Sequence, residues 1–281
     1  MTAHDPAFAD GDAVHVWACR TDDPRVLEGA SGPSAVLNPE EIAQSARFFF
    51  AKDRRRYLAT RSMVRHVLSR YIPLAPAEWR FRANAHGRPA IANAHALAHG
   101  LDFNISHTDH LIAIGVARNR RIGLDTEFVA RDAPFEVTES FAPEERAMLA
   151  SVDDAGRAAR FWELWTLKES YIKARGIGLS LPLDQFRFSF DSPGIRLHLD
   201  PAVTDDAPER WQFGLGALDD NHRLAVCAER RGSGDTAFVF RHLYDPDWFR
   251  QAGWRAGQPG MFPATHLHPG ETPSPVDRAT R

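Results

Sequence analysis

Trp165-Thr166-Leu167-Lys168-Glu169-Ser170-Tyr171-Ile172-Lys173 reads as part of a helix that is apolar around most of its circumference. Phe161, Trp162, Leu164, Trp165, Leu167, Tyr171 and Ile172 crowd its faces, and Gly176 and Gly178 stop it. Trp165, Glu169 and Lys173 follow one another at i+4 spacing and share a face. A core tryptophan in that row pulls the carboxylate and the ammonium toward the interior or a cleft edge. A solvated Glu-to-Lys pair, worth a few tenths of a kcal/mol, is the plainer alternative.

Upstream, Gly123-Leu124-Asp125-Thr126-Glu127 reads as the end of a strand. Residues two apart on a strand point to one face, so Asp125 and Glu127 repel each other unless a cation sits between them. Oxygen-only donors favour Mg²⁺ or Mn²⁺ over zinc. A solvated strand end is again the plainer reading of the pair alone. With Glu169 added, three acids suggest a divalent metal, and the nearby lysines suggest phosphate. Asn104-Ile105-Ser106-His107-Thr108-Asp109-His110 follows another strand. Two histidines without a cysteine fall short of a zinc set. A strand-end Ser-His suits an oxyanion, and a turn histidine is the alternative. The chain has no Gly-x-Ser-x-Gly elbow, phosphate loop, Cys-x-x-Cys or dinucleotide fingerprint.

Outward from these segments, elements of both kinds alternate. Residues 13–19, 79–82, 101–105, 111–117 and 122–126 pattern as strands, the last as the hairpin partner of the fourth. Asn38-Pro39-Glu40-Glu41 opens a helix with a cap, a proline at the first position and acids in the first turn. Residues 52–71 form a basic helix with one apolar face, and residues 138–150 and 157–175 two more helices. Further strands fall at 186–190, 196–199, 211–218, 224–228 and 237–243. His110 to Ala117 resembles His222 to Ala228 at an offset of 112 residues, and Arg56 to Leu68 and Arg160 to Ile172 are helices at nearly the same offset. Two similar α+β halves with a cleft between them follow from this weak repeat.

The chain has 281 residues, 43% hydrophobic and 25% charged, enough for one large domain or two small ones. A net charge of −3 gives no global sign of nucleic acid or an anionic membrane as partner. No apolar run approaches the ~20 residues that span a bilayer. Residues 1–12 are small and acidic, unlike a signal peptide. Cys19 and Cys227 lie in strand-like apolar runs. They read as buried, reduced thiols of a cytoplasmic protein, with a disulfide as the alternative. Residues 253–281, rich in proline, read as a flexible tail.

At these motifs the sequence resembles the Sfp-type 4'-phosphopantetheinyl transferases. The matching pieces stand in the family's order. They are Arg47-Phe48-Phe49-Phe50 with Arg56 and Arg65, Gly87-Arg88-Pro89, Phe103-Asn104-Ile105-Ser106-His107, Ile122 to Glu127, and Phe161 to Lys173. Gly176-x-Gly178-Leu179-Ser180-Leu181-Pro182-Leu183 follows. The resemblance implies a pseudo-two-fold α+β protein: an N-terminal half at 13–122, a C-terminal half at 123–252, and the active site between them. It implies transfer of phosphopantetheine from coenzyme A, the co-substrate, to a serine of an apo acyl or peptidyl carrier protein, leaving adenosine 3',5'-bisphosphate. By position, Asp125, Glu127 and Glu169 match the metal-binding acids, with Mg²⁺ or Mn²⁺ expected. Glu169 also matches the proposed base, and Lys173 the lysine beside the pyrophosphate. Arg47, Arg56, Arg88, Asn104, Ser106, His107, Lys168 and Lys173 match the coenzyme A-binding set. Some relatives carry basic residues where Glu41 and Gln44 stand here. A monomer is implied, since two halves in one chain already make the cleft. A non-catalytic coenzyme A or carrier-protein binder and a Mg²⁺-dependent coenzyme A hydrolase are the rival functions.

Overall fold

The computed structural model describes residues 13–23, 35–191, 194–232 and 236–242. The acidic N-terminal residues 1–12 and the proline-rich stretch 253–281 lie outside them. The fold is mixed α+β. One sheet runs in the order β11 (Phe238–His242), β1 (Val14–Arg20), β5 (Leu111–Arg118), β4 (Leu101–His107). A second runs β6 (Ile122–Phe128), β10 (His222–Glu229), β9 (Trp211–Asp219). Two short hairpins flank them: β2 (Phe81–Ala83) with β3 (Pro89–Ile91), and β7 (Phe186–Asp191) with β8 (Gly194–Leu199).

The sheets are buried on both faces, and their side-chain alternation shows how. Val14, Val16 and Ala18 of β1 and Leu111, Ala113 and Ala117 of β5 pack with Ile122, Leu124, Leu224 and Val226 of the second sheet. The opposite faces of β1 and β5, with Trp17, Ile112, Ile114 and Val116, lie under the helix α2 (Ala51–Leu68). The opposite face of the second sheet lies under the helix α5 (Asp154–Arg175). The layers therefore run helix, sheet, sheet, helix. Gly115 permits the close approach of the sheets: a Cβ there would stand 2.5 Å from Ile122 Cδ1.

Local chemistry accounts for the helix ends. Asn38 and Glu41 form a reciprocal capping box on the short helix α1 (Pro39–Ser45). Asp153 accepts from Gly156 N and starts α5, three residues ahead of the expected 157. Gly176 ends it at φ 68°, a left-handed cap that a glycine adopts without strain. Beyond the basic helix, α3 (Ala94–Ala98) is a single short turn before β4.

Three expectations are corrected. Ile122–Phe128 is not the hairpin partner of Leu111–Arg118: β6 pairs antiparallel with β10 in the other sheet, with Asp125 opposite Ala225. Ile122 and Leu124 of β6 pack face to face on β5 in the sheet–sheet core, and an apolar alternation does not tell lateral pairing from face-to-face packing. The helix expected at 138–150 splits into a 3₁₀ turn, Phe135–Ser140, and α4 (Pro143–Ala150). Pro143 cannot donate into a preceding turn and so begins a new helix. Third, Cys19 and Cys227 are free buried thiols, which removes the disulfide alternative. Among the described residues no helix is long and apolar enough to cross a membrane.

Strand β6 rests directly on the backbone of α5 at Gly123. A Cβ at Gly123 would lie 2.1 Å from Ser170 O and 2.3 Å from Ala174 N. Both neighbours are backbone atoms that cannot rotate away, so strand and helix must separate. Gly123→Ala is expected to lower stability by roughly 1–3 kcal/mol, read as a shift in the urea midpoint at unchanged slope.

Candidate active site

Four elements meet at one cleft of about 590 Å³. The N-terminal part of α2 supplies Arg56, the end of β4 supplies Ser106 and His107, β6 supplies Asp125 and Glu127, and α5 supplies Glu169 and Lys173. The positions follow from the Gly123 contact. Ile122 and Leu124 turn to the sheet–sheet core, so the alternate residues, Asp125 and Glu127, turn to α5.

Lys173 Nζ donates to Asp125 Oδ1 at 2.6 Å and to Ser106 Oγ at 3.0 Å. Ser106 Oγ donates to the same carboxylate oxygen at 2.9 Å. Glu127 accepts from Trp165 Nε1 at 3.0 Å and from Arg131 at 2.7 Å. Trp165 reads from sequence as core alone; the signal for more is that a buried indole N–H seeks an acceptor. Glu169 receives no hydrogen bond from a described residue. Burial, then the nearby Asp125 charge, push its carboxyl up to about 7, against the pull of Lys173. Burial and Asp125 likewise raise Glu127.

Acids held this close disfavour one another's charge, and a cation relieves that. Among the described residues no group of three or more His, Cys, Asp or Glu is drawn together tightly enough to hold a metal ion. Asp125 Oδ2 is nevertheless buried and without a hydrogen-bond partner. An orphaned carboxylate oxygen beside two further acids is an oxygen-only donor set, which fits a hard divalent cation.

Residues 121–227 match the 4'-phosphopantetheinyl transferase superfamily, and residues 31–119 match the family "4'-phosphopantetheinyl transferase, N-terminal". The 4'-phosphopantetheinyl transferase HetI of a Nostoc species is 33% identical over 217 residues, covering 76% of this chain and 87% of HetI. Sfp of Bacillus subtilis, with the same activity in its name, is 32% identical over 219 residues, covering 76% of this chain and 92% of Sfp. The chain belongs to the 4'-phosphopantetheinyl transferase family. Among solved structures, the holo-[acyl-carrier-protein] synthase of Thermotoga maritima aligns over 41% of this chain and 66% of its own, at TM-score 0.33 and 19% identity, a likeness too slight to bear on the fold.

Of the residues expected to bind ligand, the transferase gathers Arg56, Ser106, His107 and Lys173 along the cleft and leaves Arg47, Arg88, Asn104 and Lys168 outside its lining. Arg47 bonds Gln44 on the exposed surface. Asn104 is buried, and its Oδ1 accepts from Leu124 N at 3.0 Å, stitching the edge strand β4 to β6. Arg88 donates to backbone carbonyls of α5 and β6. Glu41 is held by the buried Arg65 at 2.6 Å. Tyr57, Thr60 and Arg61 also line the cleft and carry no motif that singles them out in sequence.

Lys168 is the clearest correction. Its ammonium is fully buried, paired with Glu145 at 2.7 Å, and donates to Leu183 O and Phe186 O, both at 2.7 Å. It fastens α5 to the chain that follows and lies outside the cleft lining. Removing one partner of such a pair strands the other charge. Lys168→Met is expected to cost about 3–5 kcal/mol of stability, and a Lys168→Met/Glu145→Leu double variant to recover much of it in denaturant unfolding.

Proposed function

We propose that this cleft transfers the 4'-phosphopantetheine group of coenzyme A to a serine hydroxyl of an apo acyl or peptidyl carrier protein, releasing adenosine 3',5'-bisphosphate. One observation carries the reading. Asp125, Glu127, Glu169 and Lys173 line the same cleft as Arg56, Arg61 and His107. A cleft that holds both clustered acids and cations suits a polyanion whose reacting phosphorus needs a metal and whose remaining phosphates need cations.

Asp125, Glu127 and Glu169 would hold Mg²⁺ or Mn²⁺. When bound, that ion neutralises pyrophosphate charge and eases departure of the leaving phosphate. The chain's own groups do the rest. Lys173, a compact point charge already on Asp125 and Ser106, turns its remaining donor to a phosphate oxygen. Ser106, His107 and Arg56 hold the outer phosphates and fix the reacting phosphorus in line. Glu169, which has no hydrogen-bond partner among the described residues, takes the proton of the carrier serine as its oxygen attacks.

Two halves facing across the cleft complete the reading. Its supports are the matching strand orders β1-β5-β4 and β6-β10-β9, each with a long helix on its outer face. The halves are 13–122 and 123–252. Both the 112-residue offset and β5 and β10 at the middle of these three-strand sets favour it. A monomer acting in the cytoplasm, where reduced cysteines are stable, follows from the same picture.

The test is incubation with coenzyme A, Mg²⁺ and an apo carrier protein, followed by mass spectrometry of the carrier. A gain of one phosphopantetheine group is expected, and chelation of the metal should abolish it. Coenzyme A loss without carrier modification indicates hydrolysis, and no reaction indicates binding alone. Glu169→Gln should lower transfer about 10²–10⁴-fold with unchanged melting. Normal Mg²⁺-dependent transfer by that variant sinks the base assignment.

A further inference from the structure

Arg88 lies in the turn between β2 and β3, after Gly87 at φ 81°. The turn is braced by Asn84, whose Oδ1 accepts from His86 N and Arg88 N, both at 2.9 Å. From there the guanidinium reaches α5, β4 and β6. One terminal nitrogen donates to Lys173 O, and to Ala174 O at 3.1 Å. The other donates to Asp102 Oδ2 at 2.8 Å, to Ile122 O at 2.9 Å and to Phe103 O at 3.4 Å. Asn84 Nδ2 adds a bond to Gly176 O at 2.8 Å.

These acceptors have a pattern. The last carbonyls of a helix have no partner within it, and a cation there also favours the helix dipole. Arg88 and Asn84 together satisfy the end of α5, the turn that carries Lys173. Ile122 opens β6, the strand that carries Asp125. A single side chain thus ties both charge-bearing segments to Asp102 and Phe103 of β4, the strand that carries Ser106. Its terminal nitrogens are already committed, and Arg88 is absent from the cleft lining.

We infer that Arg88 is a positioning residue for transfer: it sets Lys173 and Glu169 against Asp125 and does not grip coenzyme A. The inference rests on the transfer reading above. It also specifies a chemistry. A planar guanidinium spans acceptors on one helix and two strands, whereas an ammonium offers one point of charge and cannot. A phosphate ligand, in contrast, would accept either.

The experiment compares Arg88→Lys, Arg88→Met and Asn84→Ala with the wild-type enzyme. It measures kcat and KM in carrier modification, the Kd of coenzyme A by calorimetry, and melting temperature. Misplacement by about an ångström lowers turnover up to ~10²-fold. Both Arg88 variants should therefore lose roughly 10- to 100-fold in kcat while KM and Kd for coenzyme A stay near the wild-type values. Lysine should rescue nothing. Asn84→Ala keeps the guanidinium but loosens its turn, and should show the same split to a smaller degree. A raised Kd with kcat kept, or rescue by lysine, overturns the inference in favour of a phosphate contact. Unfolding of all three variants overturns it in favour of a purely structural strut. A wild-type enzyme that does not modify the carrier overturns the transfer reading itself, whatever the variants do.

Discussion

The contact between Gly123 and the backbone of α5 sets the geometry of everything around it. Strand and helix usually keep a layer of side chains between them. Here the strand Cα meets Ser170 O and Ala174 N, with no space for a methyl group. From that point the outward residues of β6 run back along the helix. Asp125 reaches Lys173, and Glu127 reaches Trp165. Without the close approach, short carboxylates on a strand would not meet groups on a helix axis that lies a full side chain away.

That approach concentrates charge where burial makes it costly. Asp125 and Ser106 are buried, and Glu127 and Glu169 are titrated upward by burial and by their acidic neighbours. Lys173 relieves part of the repulsion by occupying one Asp125 oxygen, and the other oxygen is left unpaired. A fold kept for stability alone would place apolar groups here. Breaks of this kind with the rule that buried polar groups are paired mark functional sites.

Several other buried polar groups are spent on partners inside the fold. Lys168 with Glu145 locks α5 to the segment after it, and Arg65 with Glu41 joins α1 to α2. Asn104 ties β4 to β6 through a backbone N–H. Each satisfies a backbone donor or acceptor that an apolar side chain would leave orphaned. The contrast separates framework from site: Lys168 and Arg65 spend their charge on groups inside the fold, whereas Glu169 and one oxygen of Asp125 have no hydrogen-bond partner among the described residues.

Much of this was legible in the residues themselves. The capping box at Asn38, the stop at Gly176 and the alternation that puts Asp125 and Glu127 on one face are local consequences of side-chain chemistry. The motif order also named the acids and Lys173 that the cleft brings together. What only the tertiary structure decided was partnership. The pairing of β6 with β10, the burial of Lys168 and the turning of Arg88 onto the end of α5 depend on residues far apart in the chain. Periodicity states which face of an element is apolar. It does not state which other element covers that face, and a lysine or arginine in a motif reads the same whether its charge meets a phosphate or a buried carbonyl.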